Sequence, residues 1–272
     1  MNVMGGVEAS SMSADPVAST VMDNDYTPSF ARAYDGQYAK DRDPSGDRTF
    51  YLELARRTGG PILEVGCGTG RVLLPIAEEG FECVGLDASE SMLEVARSKD
   101  LPADLRFLQG DARSFDLAPQ RFALIFSAFR AFQHLYTVDD QLAFLGRARD
   151  HLVPGGLLAF DVFDPNLEYI AKGGLAEHLD IEWTEGDLSM KRYTKVTHNH
   201  RTQVLHAFFR VEAWRESRKV SEDTNDIHLR WFYRYELEHL LARAGYDVVE
   251  RYGDFDGTPI EEGNELIFVA RP

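Results

Sequence analysis

Short apolar runs alternate with amphipathic segments along most of the chain, and this pattern predicts strands and helices in turn. The run Ile62-Leu63-Glu64-Val65 fits a buried strand, the stripe over 72–79 fits a helix, and the run over 82–86 fits a second strand that ends at Asp87. Such alternation predicts an α/β fold. Later strands are predicted over 105–109, 122–126, 157–160, 246–252 and 265–270.

The pattern changes between about 181 and 231, where β-branched and aromatic residues alternate with polar ones. The segments 191–198 and 204–214 fit two antiparallel strands joined by a turn. We expect a β-rich insertion after the fifth strand, which covers the carboxyl edge of the main sheet and helps to enclose a substrate.

The N-terminal part divides into two segments. Residues 1–25 are rich in Ser, Ala, Gly and Met and have no apolar period, which predicts a disordered tail. Residues 26–57 carry aromatic residues at helical spacing and then a second amphipathic stretch, which predicts a helical cap. Residues 26–272 are expected to form a single domain.

Composition narrows the classes of function. Acidic residues outnumber basic ones 45 to 29, and this balance disfavours a nucleic-acid partner, whose backbone needs a basic surface. The two cysteines, Cys67 and Cys83, lie close together in sequence and indicate neither a disulfide scaffold nor a cysteine-rich metal site. The sequence shows neither an apolar run of spanning length nor a secretory signal. We therefore expect a cytoplasmic enzyme without a membrane partner.

Three glycines, Gly66, Gly68 and Gly70, follow the first strand at alternate positions. Glycines let the backbone approach a ligand closely, and the carboxylate of Asp87 at the tip of the second strand can accept both hydroxyls of a ribose. The dinucleotide pattern has a third glycine where this chain has Arg71. The unit therefore predicts a nucleoside site and disfavours a NAD-dependent oxidoreductase.

The sequence E-V-G-C-G-T-G over 64–70 resembles motif I of the class I S-adenosylmethionine-dependent methyltransferases. The resemblance extends over about 34–272 and is strongest to bacterial small-molecule enzymes of antibiotic pathways, including aminosugar and lincosamide N-methyltransferases. It implies a Rossmann-like seven-stranded sheet of order 3-2-1-4-5-7-6 with helices on both faces. It also implies S-adenosylmethionine as methyl donor and S-adenosylhomocysteine as product, held by Tyr34, Glu64, Gly66, Gly68, Gly70, Asp87, Ala88, Met92, Asp111, Ala112 and Ser127.

Two further elements mark the acceptor side. The motif Tyr34-Asp35-x-x-Tyr38 resembles one whose tyrosines close over donor and acceptor in that family, and the loop 127–135 contains a similar A-F-Q-H-L element. His134 is a candidate base or orienting group, because an imidazole changes its charge near neutral pH. Each of these side chains could instead simply pack in the fold. Tyr34, Tyr38 and His134 are the candidate catalytic residues, and the candidates for acceptor binding are Tyr26, Phe129, Arg130, Phe132, Gln133 and His134.

These features predict methyl transfer to a small-molecule acceptor, with an amine nitrogen of a specialised metabolite as the first candidate. Transfer to oxygen or carbon of a phenolic or indolic molecule is the alternative, and a protein that only binds the donor is a third reading. The histidines His198, His200 and His206 are not expected to form a metal site, since methyl transfer from a sulfonium needs none. A homodimer is compatible with the sequence.

Overall fold

The computed structural model describes residues 26–42 and 46–272, so the tail predicted over 1–25 lies outside the described residues. The helices are α1 (Pro28–Arg42), α2 (Asp47–Thr58), α3 (Leu73–Glu78), α4 (Glu90–Arg97), α5 (Val138–His151), α6 (Leu167–Ala171) and α7 (Arg234–Arg243), and a short 3₁₀ helix, η1, spans Ala131–His134. The strands are β1 (Ile62–Val65), β2 (Cys83–Asp87), β3 (Leu105–Gln109), β4 (Phe122–Ser127), β5 (Leu152–Phe163), β6 (Gly174–Glu185), β7 (Leu188–Asn199), β8 (Val204–Arg215), β9 (Arg218–Arg230), β10 (Asp247–Tyr252) and β11 (Glu265–Arg271).

The larger sheet has seven strands in the order β3-β2-β1-β4-β5-β11-β10. The first five pair in parallel, and β11 is antiparallel to both of its neighbours. The four strands of the insertion are numbered between β5 and β10, so β10 and β11 are the sixth and seventh strands of the larger sheet. The observed order is therefore the expected order 3-2-1-4-5-7-6. The predicted α/β fold class is therefore confirmed.

Helices cover both faces of this sheet, which explains why its central strands are apolar throughout. Every residue of β1 and β4 is buried. Leu63 and Ile125 face one hydrophobic core, whereas Ile62 and Leu124 face the other. The alternating side-chain directions of a strand thus give the domain two cores, one on each side of the sheet.

The second sheet contains β6, β7, β8 and β9 in sequential antiparallel order. The sequence indicated only the two inner strands, and the sheet begins at Gly174, ahead of the expected start near 181. Most residues of the outer strands are exposed, so these strands lack the apolar alternation that reveals an inner strand. The insertion is the antiparallel unit that the sequence predicted after β5.

Helix α1 lies between the two sheets. Its Phe30 packs with Phe209 and Ile227 of the second sheet. Its Asp35 accepts a hydrogen bond of 2.6 Å from the hydroxyl of Thr69, in the glycine loop of the first sheet. This placement puts one helix against both the glycine loop and the inserted sheet.

Within the described part of the chain, no helix is both long enough and apolar enough to cross a membrane.

Candidate active site

A cavity of about 280 Å³ lies at the carboxyl ends of the central strands, where open α/β sheets bind their ligands. Its walls come from the loops after β1, β2, β3 and β4 and from the N-terminal part of α1. The predicted residues that line it are Tyr26, Tyr34, Glu64, Gly66, Gly68, Asp87, Ala88, Met92, Asp111, Ala112, Phe129 and His134.

The glycine loop packs so closely against neighbouring residues that side chains would not fit at Gly66 or Gly70. Gly66 has a φ of +79°, and a Cβ atom there would lie 2.4 Å from the Cβ of Ala131. Gly70 has a φ of +74°, and its Cβ would lie 2.6 Å from the ring of Phe107 in β3. Gly66 borders the cavity, whereas Gly70 lets the loop pack on the sheet.

Asp87 is held in one orientation at the tip of β2. Its Oδ2 accepts a hydrogen bond of 2.7 Å from the amide of Gly68, and its Oδ1 accepts one of 2.8 Å from the amide of Ser89. Burial raises the pKa of this carboxyl group, and the backbone donors work against that rise. Backbone amides, including one from the glycine loop, thus fix the orientation of the Asp87 carboxylate, which still faces the cavity.

Glu64 is a buried acid at the end of β1, with 2% of its surface exposed. Its Oε2 has no hydrogen-bond partner among the described residues. Burial raises its pKa well above the usual value, and the nearby Arg71 acts in the opposite direction. A buried carboxyl oxygen that faces a cavity without a partner is suited to a cationic or hydrogen-bonding ligand group.

Arg71 lines the cavity, although the sequence indicated it only as the residue that replaces the third glycine of the dinucleotide pattern. Its guanidinium forms a buried ion pair with Asp47 at the start of α2. The same group lies 5.2 Å from the centre of the Phe129 ring. The position of Arg71 directly after Gly70 could have indicated its place at the cavity. Nothing in the sequence indicated its partner Asp47, which is distant along the chain.

A second unpredicted group lies around Asp111. Arg113 forms a bidentate ion pair with Asp111 and a weaker contact of 3.3 Å with Asp140 of α5. The hydrogen bonds from Arg113 lower the pKa of Asp111, which keeps this carboxylate ionised beside the cavity. Tyr136, Thr137 and Asp140 complete this side of the cavity wall.

The opposite side of the cavity is aromatic. The phenol oxygen of Tyr26 lies 3.2 Å from Nε2 of His134, and Tyr26 packs edge-on against Tyr34. Burial and the nearby His228 lower the pKa of His134 to about 4, so its imidazole is neutral at physiological pH. Burial also raises the pKa of Tyr34 well above its usual value, so that its phenol stays protonated.

Two residues of the predicted acceptor wall lie in the core instead. Phe132 is 1% exposed and stacks on Phe160, with ring centres 4.6 Å apart. Gln133 is fully buried, donates a hydrogen bond of 2.8 Å to the carbonyl of Arg230 and accepts one from the amide of Phe163. The prediction that these two side chains face the acceptor is therefore corrected: η1 turns them away from the cavity.

Three other predicted site residues lie beside the cavity rather than in its wall. Tyr38 packs against Phe129 and against the guanidinium of Arg192, 5.1 Å from its ring centre. Arg130 lies over the ring of Phe163, and Ser127 is buried at the end of β4. These residues can support the wall but do not form it.

The histidines of the insertion have structural neighbours. His206 pairs with Asp226 and stacks on His228, with ring centres 4.4 Å apart. His198 packs edge-on against Trp231. Among residues 26–42 and 46–272, no group of three His, Cys, Asp or Glu side chains is arranged to hold a metal ion.

Comparison with known proteins adds independent evidence. Residues 62–156 match the family model described as "Methyltransferase domain". The chain is 32% identical over 248 residues to the "Putative methyltransferase YqeM" of Bacillus subtilis, which covers 89% of this chain and 95% of that protein. It is 34% identical over 229 residues to the "dTDP-3-amino-3,4,6-trideoxy-alpha-D-glucopyranose N,N-dimethyltransferase" of Streptomyces venezuelae, covering 82% of this chain and 92% of the relative.

A solved structure shows the same likeness in three dimensions. It is described as "SAM bound CalS10, an amino pentose methyltransferase from Micromonospora echinaspora", with a TM-score of 0.66, 26% identity and coverage of 91% of this chain and 98% of that one. The chain belongs to the methyltransferase domain family.

Proposed function

We propose that the cavity binds S-adenosylmethionine and that the protein transfers its methyl group to an amine nitrogen of a small-molecule specialised metabolite. One observation carries this proposal. A single cavity joins Asp87 and Glu64 on one side to Tyr26, Tyr34 and His134 on the other. A nucleoside donor and an acceptor can therefore meet within one cavity.

The residues of the first side fit the donor. Asp87 can accept hydrogen bonds from both ribose hydroxyls, and Met92 and Ala88 supply an apolar surface for the adenine. Asp111 offers acceptor oxygens for the exocyclic amine of the base. The unpartnered Oε2 of Glu64 suits the positively charged methionine part of the donor.

When bound, S-adenosylmethionine supplies an activated methyl carbon on a sulfonium. The residues of this chain then align and shield the reacting groups. Tyr34 and Phe129 present aromatic surface to positive charge. The neutral Nε2 of His134, which now contacts Tyr26, can accept a hydrogen bond from an amine N–H and so direct the nitrogen lone pair toward the methyl carbon.

The low pKa of His134, about 4, favours an amine over a phenol or carbon acceptor. An amine attacks in its neutral form, and its ammonium form can lose the extra proton to solvent before it binds, whereas a phenol or carbon centre must lose a proton to a base within the site. An imidazole of such low basicity takes up protons poorly at neutral pH. The name of the Streptomyces venezuelae relative supports an aminosugar as one member of the acceptor class.

The test is methyl transfer from a donor with a deuterated methyl group. The acceptor panel contains dTDP-3-amino-3,4,6-trideoxy-α-D-glucose, tryptamine, 4-hydroxyphenylacetate and indole, and the products are analysed by mass spectrometry. We expect label on an amine and none on the phenol or the indole carbon, with the signal abolished by Asp87→Ala. Label only on oxygen or carbon would overturn the amine assignment.

The partner in this proposal is a small molecule rather than a nucleic acid, and the excess of 45 acidic over 29 basic residues supports that choice. Duplex DNA added at low salt should therefore leave the mobility of the protein in a native gel unchanged. The proposal also includes a homodimer, which sedimentation velocity at micromolar concentration tests directly.

A further inference from the structure

Asp161 is a buried acid in β5 that no sequence motif singles out. It is fully buried. Its Oδ1 accepts hydrogen bonds from the phenol of Tyr51 at 2.7 Å and from the amide of Phe129 at 2.9 Å. Its Oδ2 accepts one from the amide of Arg130 at 3.2 Å. One carboxyl group thus binds two consecutive backbone amides of the loop after β4.

Those two amides belong to an unusual turn. Phe129 has a φ of +53° and Arg130 a φ of +68°, so two successive residues with side chains adopt the left-handed region. Each such residue is energetically unfavourable and persists only where its surroundings hold it. The carboxyl group of Asp161 stabilises this turn, because both amides of the turn point toward it and each donates a hydrogen bond to one of its two oxygens.

The turn decides where the Phe129 ring lies. The ring lines the cavity and packs edge-on against Tyr34 and Tyr38, with centres 6.2 Å and 4.9 Å away. Three residues later, Phe132 is in the core. A relaxed turn with negative φ values would redirect the chain at this point and move the ring out of the wall.

We propose that Asp161 is a positioning residue for methyl transfer: it holds the turn at 129–130 and thereby keeps the Phe129 ring in the wall that aligns the acceptor with the methyl group. This inference rests on the proposed function, since the wall matters only if an acceptor binds there. Asp161 does not line the cavity and acts through Phe129.

The decisive variant is Asp161→Asn, compared with the double variant Asp161→Asn/Arg130→Gly. An asparagine keeps one acceptor oxygen but turns an NH₂ group toward the other donor, so it cannot bind both amides. Glycine adopts positive φ without the cost of a Cβ atom, so the double variant should recover the turn with fewer hydrogen bonds. Tyr51→Phe serves as control, because it removes the phenol donor and leaves both loop amides bound.

Three quantities are measured for each folded protein. These are kcat/KM for dTDP-3-amino-3,4,6-trideoxy-α-D-glucose, the Kd of S-adenosylhomocysteine by calorimetry, and the ¹⁹F NMR signal of 4-fluorophenylalanine placed at position 129. We expect Asp161→Asn to lower kcat/KM at least about tenfold, to change Kd less than about twofold and to shift the ¹⁹F signal. The added Arg130→Gly should restore at least about a third of the lost activity and return the signal.

Loss of donor-product affinity in parallel with activity, or full activity in folded Asp161→Asn, would overturn the inference. If Asp161→Asn does not fold, Asp161→Glu provides the same comparison, because its longer side chain displaces the carboxylate from the two amides. The ¹⁹F measurement can be made without a bound acceptor, so it does not depend on the proposed function. A wild-type protein that methylates no amine therefore contradicts the proposed function, whereas an unchanged signal contradicts the role of Asp161.

Discussion

Asp35 of α1 and Lys99, just beyond α4, form an ion pair of 2.6 Å that fastens α1 to the glycine loop. The other oxygen of Asp35 accepts a hydrogen bond of 2.6 Å from the hydroxyl of Thr69, and Lys99 donates one of 2.7 Å to the carbonyl of Thr69. Thr69 lines the cavity, and so does Tyr34, the neighbour of Asp35. The pair therefore links α1, which contributes to the cavity wall, to the glycine loop.

Lys99→Met should weaken binding of S-adenosylhomocysteine about three- to tenfold. A partly exposed ion pair contributes up to about 1 kcal/mol, and the hydrogen bond to Thr69 contributes about as much. Calorimetry at low and high salt measures the effect, which should be larger at low salt. Arg56→Met is the matched control, since Arg56 pairs with Glu79 on an exposed surface away from the cavity. Equal losses in both variants would contradict the link to the site.

Asp87→Asn should raise the Kd of S-adenosylhomocysteine by about a hundredfold. The change removes charge from two ribose hydrogen bonds, each worth roughly 1.5–3 kcal/mol when charge-assisted, and loosens the bond to the amide of Gly68. Asp256→Asn is the control, because Asp256 is exposed and bonds only to Thr258 in the described structure. Comparable Kd values for the two variants would remove Asp87 from the donor site.

The imidazole of His134 should stay neutral above about pH 5, because its pKa is lowered to about 4. In the unfolded state His134 binds a proton near pH 6.5, whereas in the folded state it binds one only near pH 4. The free energy of unfolding must therefore fall as the pH drops through this window, by up to about 3 kcal/mol. Denaturant titrations of wild type and His134→Gln isolate this contribution, since other titrating groups cancel in the difference. NMR titration of the ring checks the pKa directly, and a midpoint near 6.5 would contradict the buried environment.

Phe132→Ala should cost about 3–5 kcal/mol of stability, as expected for a large aromatic side chain removed from a core. It should leave the affinity for S-adenosylhomocysteine within about twofold in the folded fraction. Phe129→Ala, only three residues away, should cost much less stability and mainly lower methyl transfer. Chemical denaturation and turnover assays on both variants distinguish the core residue from the wall residue. The reverse pattern would contradict the geometry of the loop.

Elements with local signals can be predicted from the sequence alone. Gly66 and Asp87 lie at the ends of adjacent predicted strands, and the structure places both in the cavity wall. Ser89 is of a residue type that favours the position before a helix, and its hydroxyl accepts a hydrogen bond from the amide of Met92 at the start of α4. Such features depend on a few consecutive residues, so a linear pattern is sufficient to reveal them.

Which side chains of the loop after β4 face the cavity depends on contacts between distant parts of the chain. Phe129 and Phe132 are equivalent as residue types in a linear pattern, and Gln133 is as polar as any substrate-binding residue. The outcome depends on Asp161, more than thirty residues away, which fixes a turn that no local preference favours. It depends equally on the carbonyl of Arg230, which binds the Gln133 amide from the inserted sheet. These partners act through space, and their effect on the direction of a side chain exists only once the strands have come together.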